Sequence, residues 1–177
     1  KSIPTQESTG ATDWSSVAVG GYHTVALKSD GTLWAWGRNE YGQLGDGTVL
    51  DRSSPVQEST GATDWSSASS GYGHTVALKS DGTLWAWGWN IKGMLGNGTT
   101  VNSNIPTQIG TETNWSAIYA GLNQTVALKS DGSLWVWGNN SFGQLGDGTT
   151  GHKLTPTQIG SETNWTAIFG GRGGTFA

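Results

Sequence analysis

One segment of fourteen residues occurs three times in the sequence, and this repetition constrains the fold more than any other feature. The segment reads T-V-A-L-K-S-D-G-[TS]-L-W-[AV]-W-G and covers residues 24–37, 75–88 and 125–138. A fourth copy begins at Thr175. Prolines and tryptophans outside the segment recur at the same spacing of about 50 residues: Pro4, Pro55, Pro106 and Pro156, and Trp14, Trp65, Trp115 and Trp165. A period of this length is typical of solenoids, propellers and related arrays.

Each copy of the segment predicts a β-hairpin. In the first copy, Ser29-Asp30-Gly31 separates two short runs of β-forming residues, and Asp-Gly between apolar runs is a strong hairpin signal. Because successive side chains alternate along a strand, Val25 and Leu27 share one face while Ala26 takes the other. Apolar side chains thus occupy both faces of the hairpin. We therefore expect it to be covered on both sides, as a propeller blade is by its neighbours.

Each unit of about 50 residues offers four short strands. One surrounds Pro-Thr-Gln, one follows the first tryptophan, and two are the arms of the hairpin. The runs after the tryptophan cover residues 15–19, 66–70, 116–120 and 166–170, and glycine-punctuated loops follow the hairpins at 37–48, 88–99 and 138–149. This pattern predicts an all-β protein made of propeller blades with four antiparallel strands each. We divide the chain into repeats 1–51, 52–102 and 103–152 and an incomplete repeat 153–177.

A longer string of residues makes the architecture more specific. Residues 20–48 contain G-x-x-H-T-V-A-L, then D-G-x-L-W-x-W-G-x-N-x-x-G-Q-L-G-D-G-T. This string resembles the repeat of the regulator-of-chromosome-condensation family, which implies a propeller, typically of seven blades. Since the chain holds about three and a half repeats and stops at Ala177 within a strand, we expect part of a larger propeller, with self-association of a partial propeller as the alternative. Kelch repeats share the period and give a second possible fold, although their double glycine is found only at Gly20-Gly21 and Gly170-Gly171.

Composition excludes several classes of function. The chain has no cysteine, so disulfides and thiolate chemistry are excluded. Its net charge of −4, with Lys and Arg scattered singly, argues against a nucleic-acid surface. No apolar run approaches the roughly 20 residues that span a bilayer. The low charge and the richness in Ser, Thr, Asn and Gly suggest an extracellular or cell-envelope protein.

The candidate catalytic residues are better explained by structural roles than by catalysis. His23 and His74 precede threonines in the first two copies, but the same position holds Gln124 and Gly174 in the others. A position that accepts His, Gln and Gly is expected to form a polar contact with a neighbouring turn. His152 stands alone, and a zinc site needs about four convergent ligands. The loop G-Q-L-G-D-G-T lacks the ending of a phosphate-binding loop. We therefore expect no catalytic residue, metal or cofactor, and a core role for the paired tryptophans.

Differences among the copies point to a binding surface. They collect in the bends that precede the hairpins, in the residues just after the hairpins, and in the connectors. Loops held by a rigid scaffold usually carry recognition. The interface-type side chains among them are Arg38, Tyr41, Trp89, Lys92 and Phe142. We predict a non-enzymatic protein-interaction scaffold that binds an unknown protein partner through these residues. The alternative is a carbohydrate-binding or structural cell-surface module that uses exposed aromatic residues.

Overall fold

The computed structural model describes residues 5–171 and 174–176, and these residues form β-sheets joined by tight turns and loops. Three sheets have four antiparallel strands each, in up-and-down order. The first contains β1 (Trp14–Val19), β2 (His23–Lys28), β3 (Leu33–Gly37) and β4 (Arg52–Gln57). The second contains β5 (Trp65–Ser70), β6 (His74–Lys79), β7 (Leu84–Gly88) and β8 (Ser103–Gln108), and the third β9 (Trp115–Ala120), β10 (Gln124–Lys129), β11 (Leu134–Gly138) and β12 (Lys153–Ile159). The all-β prediction and the four-stranded blades are confirmed.

The blades are offset from the sequence repeats. The strand around each proline pairs with the hairpin that precedes it, so β4 pairs with β3 and the blades span residues 14–57, 65–108 and 115–159. The physical reason is that β4 follows β3 through a single loop and can pair with it directly as an antiparallel neighbour. Its outer position also suits Pro55, which cannot donate to a further strand. The corresponding segment at the start of the chain, Lys1–Gln6, lies mostly outside the described residues.

The fourth unit contains a shorter strand than the sequence predicts. The expected run was 166–170, whereas β13 covers Phe169–Gly171 and pairs with β14 (Gly174–Phe176). In blade 1 the strand begins at Trp14 because this residue pairs with Lys28 at the far end of the hairpin arm. In the fourth unit the pairing with β14 starts only at Phe169. Residues 166–168 therefore have no strand partner within the described part of the chain.

The core lies between consecutive blades. Val25 and Leu27 of blade 1 pack with Trp65 and Trp87 of blade 2, which confirms the expected alternation of faces. The same arrangement joins blades 2 and 3, where Trp137 is fully buried. An indole of this kind removes roughly 200 Å² from water, which stabilises the fold by about 5 kcal/mol. Each blade is thus covered by its neighbour.

The glycine loop after each hairpin fastens one blade to the next. The carbonyl oxygen of Gln43 accepts hydrogen bonds from Trp87 Nε1 at 3.0 Å and from Thr75 Oγ1 at 2.8 Å. Gly45 has a φ of 72°, and a Cβ atom there would lie 2.7 Å from Trp87 Nε1. Met94, Thr125 and Trp137 repeat this arrangement between blades 2 and 3. The loop therefore needs glycine both for its backbone conformation and for close contact with the indole.

Candidate partner-binding surface

The variable positions of the repeats lie together at one end of the blades, which we call the bend face. It comprises residues 20–22, 71–73 and 121–123 in the bends and residues 38–41, 89–92 and 139–142 after the hairpins. The two sets meet because the hairpin pairs His23 with Gly37, and the Arg38 amide donates to the Tyr22 carbonyl oxygen at 2.9 Å. A cleft of about 340 Å³ opens on this face, lined by the three bends and the adjacent strand ends. The opposite end, with the hairpin turns, is called the turn face.

Four aromatic rings form a continuous group on the bend face where blades 1 and 2 meet. Tyr22 contacts Tyr72 edge to face, with ring centroids 5.4 Å apart. Tyr72 lies 6.0 Å from Trp89, and Trp89 stacks on Tyr41 at 5.2 Å with an interplanar angle of 18°. We call these four residues the four-ring cluster. Tyr22 is 56% exposed, so the group reaches the surface.

Arg38 and Glu40 complete the cluster without giving it a net charge. The Arg38 guanidinium lies 5.4 Å from the ring of Tyr22 and 6.0 Å from that of Tyr41, which are cation–π distances. Arg38 also forms an ion pair with Glu40. Hydrogen bonds from the Tyr41 hydroxyl and, to a smaller extent, from Arg38 lower the pKa of the Glu40 carboxyl group. The hydrogen bond to Glu40 also raises the pKa of Tyr41. The charges are matched within the group itself.

Small residues in the bends make room for the rings. A Cβ atom at Gly73 would lie 3.2 Å from Tyr41 Cδ2 and 3.3 Å from Trp89 Cβ. A Cβ atom at Gly21 would lie 2.9 Å from Tyr72 Cδ2. These glycines alternate with the tyrosines, because Gly21-Tyr22 in the first bend corresponds to Tyr72-Gly73 in the second. The two bends therefore complement each other in shape.

The structure brings together three of the five residues that the sequence singles out. Arg38, Tyr41 and Trp89 belong to one group, as described above. Lys92 lies at the next blade junction, where its Nζ donates to Ser141 Oγ at 3.4 Å. Phe142 is 90% exposed and makes no ring contact with the described residues. All five are on the bend face, but only the first three form a cluster.

Tyr22 and Tyr72 belong to the cluster although the sequence pattern did not single them out. Both lie in the bends, which the comparison of copies marks as variable. Tyr22 and Tyr72 contact each other although they are 50 residues apart in the chain, and Tyr72 also contacts Trp89 on the loop after a hairpin. No local sequence pattern indicates these contacts. The available signal was the aromatic residue in the first two bends, where the third has Leu122.

The histidines serve the junctions between blades and not a catalytic group. His23 Nε2 lies 3.0 Å from Thr75 Oγ1, and His74 Nε2 lies 3.1 Å from Thr125 Oγ1. The expected polar contact thus exists, although its partner is a strand of the next blade and not a turn. Burial lowers the pKa of His23 to about 4. No group of three or more His, Cys, Asp or Glu residues within residues 5–171 and 174–176 could hold a metal ion.

The turn face carries residues that the repeat uses for its own structure. Lys129 Nζ lies 4.8 Å from the ring of Trp115 and 4.1 Å from that of Trp135, and it pairs with Glu112 at 3.3 Å. Lys28 and Lys79 occupy equivalent positions in blades 1 and 2. The same lysine–tryptophan contact in every blade indicates a structural role. The part of the chain that the structure describes has no helix long and apolar enough to cross a membrane.

Three four-stranded antiparallel sheets packed face to face, with β1, β5 and β9 side by side, define this protein as a β-propeller. The family model for the regulator of chromosome condensation (RCC1) repeat matches residues 30–78, 81–128 and 131–177. A second model of this repeat matches residues 14–43, 65–93 and 115–144. The chain belongs to the RCC1 repeat family.

Individual relatives share the repeat over part of their length. The chain is 40% identical to the ultraviolet-B receptor UVR8 of Arabidopsis thaliana over 103 residues, which are 58% of this chain and 23% of UVR8. It is similar to human WBSCR16 with a TM-score of 0.73 and 31% identity, covering 83% of this chain and 39% of that one.

Prp20p of Saccharomyces cerevisiae, studied for its binding to Gsp1p and histones, has a similar fold. The TM-score is 0.78 at 23% identity, with 86% of this chain and 39% of Prp20p covered, and this likeness concerns the fold alone. The three blades thus correspond to about two fifths of the solved propellers and about a quarter of the length of UVR8. The chain is part of a larger propeller of this type.

Proposed function

We propose that this chain is a non-enzymatic protein-interaction scaffold that binds a protein partner through its bend face, with the four-ring cluster and Arg38 at the centre of the contact. The observation that carries the proposal is the grouping of Tyr22, Tyr72, Trp89 and Arg38 at the surface. Tyr, Trp and Arg are the residue types that dominate binding energy at protein interfaces. Lys92 and Phe142 would extend the contact over the next blade junction.

The difference in residue variation between the two faces supports the proposal. On the turn face the same side chains recur in each blade and are used in contacts within the blade, as Lys129 shows. On the bend face the residues differ between copies, and the aromatic side chains there do not recur in every blade. A surface that varies on a rigid frame is suited to recognition. Prp20p, whose fold is similar, is described as binding proteins, which is consistent with this class of function.

The absence of an assembled reaction centre among the described residues supports the non-enzymatic part. The buried histidines each contact a threonine of the next blade, and this threonine donates in turn to a loop carbonyl and not to a carboxylate. An extracellular or cell-envelope location stays a prediction, which fractionation of the source cells tests.

The experiment is a quantitative pull-down from extracts of the source organism. The test variant is Tyr72→Leu/Trp89→Asn, which introduces the residues of the third copy at both positions and should fold normally. The control is Thr111→Ala/Asn114→Ala, which changes two exposed side chains on the turn face. We expect a partner that the wild type and the control retain and the test variant loses. Equal recovery with all three proteins would refute the assignment of the bend face.

A further inference from the structure

Trp89 is the one tryptophan that the repeat does not explain. Ten of the eleven tryptophans occupy three positions that recur from copy to copy, whereas Trp89 shares its position with Arg38 and Asn139. The indole N–H of Trp89 has no hydrogen-bond partner among the described residues, and its side chain is half-buried in the four-ring cluster. Each tryptophan at the 34, 85 and 135 position, by contrast, donates to a hydroxyl two residues earlier in its own blade. Trp89 therefore offers a free donor beside an aromatic surface.

Several backbone carbonyl groups near the cluster already accept a hydrogen bond within the protein. The Tyr22 carbonyl oxygen accepts the Arg38 amide, and the Gly73 carbonyl oxygen accepts the Trp89 amide. Two more bend carbonyls, those of Gly71 and Leu122, accept the amides of Gly21 and Tyr72. Glu40 is used by Arg38 and Tyr41. Two donors remain for a ligand: the Trp89 N–H and the remaining N–H groups of the Arg38 guanidinium, whose side chain is 39% exposed.

Three of the four rings follow one another across the junction of blades 1 and 2. Tyr22, Tyr72 and Trp89 follow one another at 5.4 and 6.0 Å, so the outer two centroids are at most 11.4 Å apart. One turn of a polyproline II helix has three residues and rises by about 9 Å. A polyproline II segment of about five residues is therefore long enough to pass over all three rings. The cleft between the bends adjoins these rings at Tyr72.

From these observations we infer that the four-ring cluster binds a proline-rich segment of its partner in the polyproline II conformation. Proline presents a flat apolar ring and a carbonyl oxygen but has no N–H, so it requires no acceptor from the surface. The carbonyl groups of a polyproline II helix are unpaired and can accept from Trp89 and Arg38. This inference rests on the proposed function and names the class of partner.

The test is fluorescence anisotropy with fluorescein-labelled decaproline and the 177-residue chain. We expect saturable binding to the wild type. Trp89→Phe keeps the ring but removes the donor, so affinity should fall about fivefold, as for loss of one hydrogen bond. Trp89→Asn and Tyr72→Leu should each lower it tenfold or more, because a central aromatic residue is lost. Thr111→Ala/Asn114→Ala, the control on the turn face, should leave affinity within twofold of the wild type.

Three outcomes would overturn the inference. The first is the absence of saturable decaproline binding, and the second is binding that Trp89→Asn and Tyr72→Leu leave unchanged. The third is binding of cello- or xylo-oligosaccharides that Trp89→Asn abolishes, which would assign the cluster to carbohydrate. The pull-down separates this failure from that of the proposed function. A protein partner lost by Tyr72→Leu/Trp89→Asn, without any decaproline binding, refutes the proline-rich segment and leaves the interaction surface in place.

Discussion

Acid should weaken this fold through the two histidines at the blade junctions. Thr75 and Thr125 donate their hydroxyl hydrogens to loop carbonyls, so each accepts the Nε2 hydrogen of a histidine, His23 or His74. Both imidazoles are then neutral, with unprotonated Nδ1 atoms that are buried and have no partner among the described residues. Protonation at Nδ1 would place a charge where no acceptor is available.

The size of the stability loss in acid follows from the shift of each histidine pKa. Burial lowers the pKa from 6.5 to about 4 in His23 and to about 3 in His74, where repulsion by His23 adds to the effect. The unfolded chain takes up these protons at the higher pKa, so the stabilisation is complete above pH 6.5 and is lost as the pH falls below it. The loss is about 1.4 kcal/mol per pH unit and histidine, which makes about 4 kcal/mol for both at pH 5. Domains typically have only about 5–15 kcal/mol in total.

The measurement is urea unfolding between pH 8 and pH 5, followed by tryptophan fluorescence, for the wild type and His23→Gln/His74→Gln. Glutamine suits the site, since Gln124 is buried at the same position of blade 3. We expect the free energy of unfolding of the wild type to fall by about 4 kcal/mol more than that of the variant, with each single variant midway. His152 is present in the wild type and in every variant, so its contribution cancels in the difference between them. A parallel fall in wild type and double variant would show that the histidines titrate normally in the folded chain.

Five further substitutions, two of them controls, test the junctions and the turn face by urea unfolding. Gly96→Ala should cost about 3 kcal/mol, because its Cβ would lie 2.7 Å from an indole nitrogen, while Gly148→Ala, with a similar φ and no atom within 4 Å, should cost only about 1 kcal/mol. Thr125→Val should cost about 3 kcal/mol, because it leaves the buried Nε2–H of His74 unpaired and removes one of the two hydrogen bonds that the Met94 carbonyl accepts. Thr24 has no such cross-blade bonds among the described residues, so Thr24→Val should cost less than about 1 kcal/mol. Lys129→Met keeps the packing of the stem and should lose about 1–2 kcal/mol of cation–π energy. Equal costs for the two glycines or the two threonines, or no cost at Lys129, would contradict the respective contact.

Local features of the sequence predicted the blades well. The turn at Gly31 has a φ of 79°, as expected for Asp-Gly in a hairpin, and Trp87 and Trp137 are buried as the pairing of tryptophans indicates. These features depend on neighbours along the chain or on the alternation of faces. The strands that follow the first tryptophan begin one residue earlier than the predicted runs in blades 1 to 3, at Trp14, Trp65 and Trp115, and three residues later in the fourth unit.

Contacts between copies could not be read from the sequence in the same way. Each unit looks like its neighbours, so the sequence does not say that β4 pairs with β3 instead of β5. The hydrogen bond between His23 and Thr75 joins residues 52 positions apart. The stack of Tyr41 on Trp89 likewise depends on how two blades are placed side by side. Variation among the copies selects residues that lie on one face, but only the packing of the blades shows which of these residues meet.

The offset between blades and repeats has a consequence for synthesis on the ribosome. Blade 1 lacks its outer strand until residues 52–57 have been made, 20 residues after the end of β3 at Gly37. At translation rates of about 5–20 residues per second, this edge stays open for about 1 to 4 s. The same interval recurs with every repeat, so the nascent chain always exposes one unpaired strand edge near its growing end. A chaperone that recognises such edges would meet this protein once per blade.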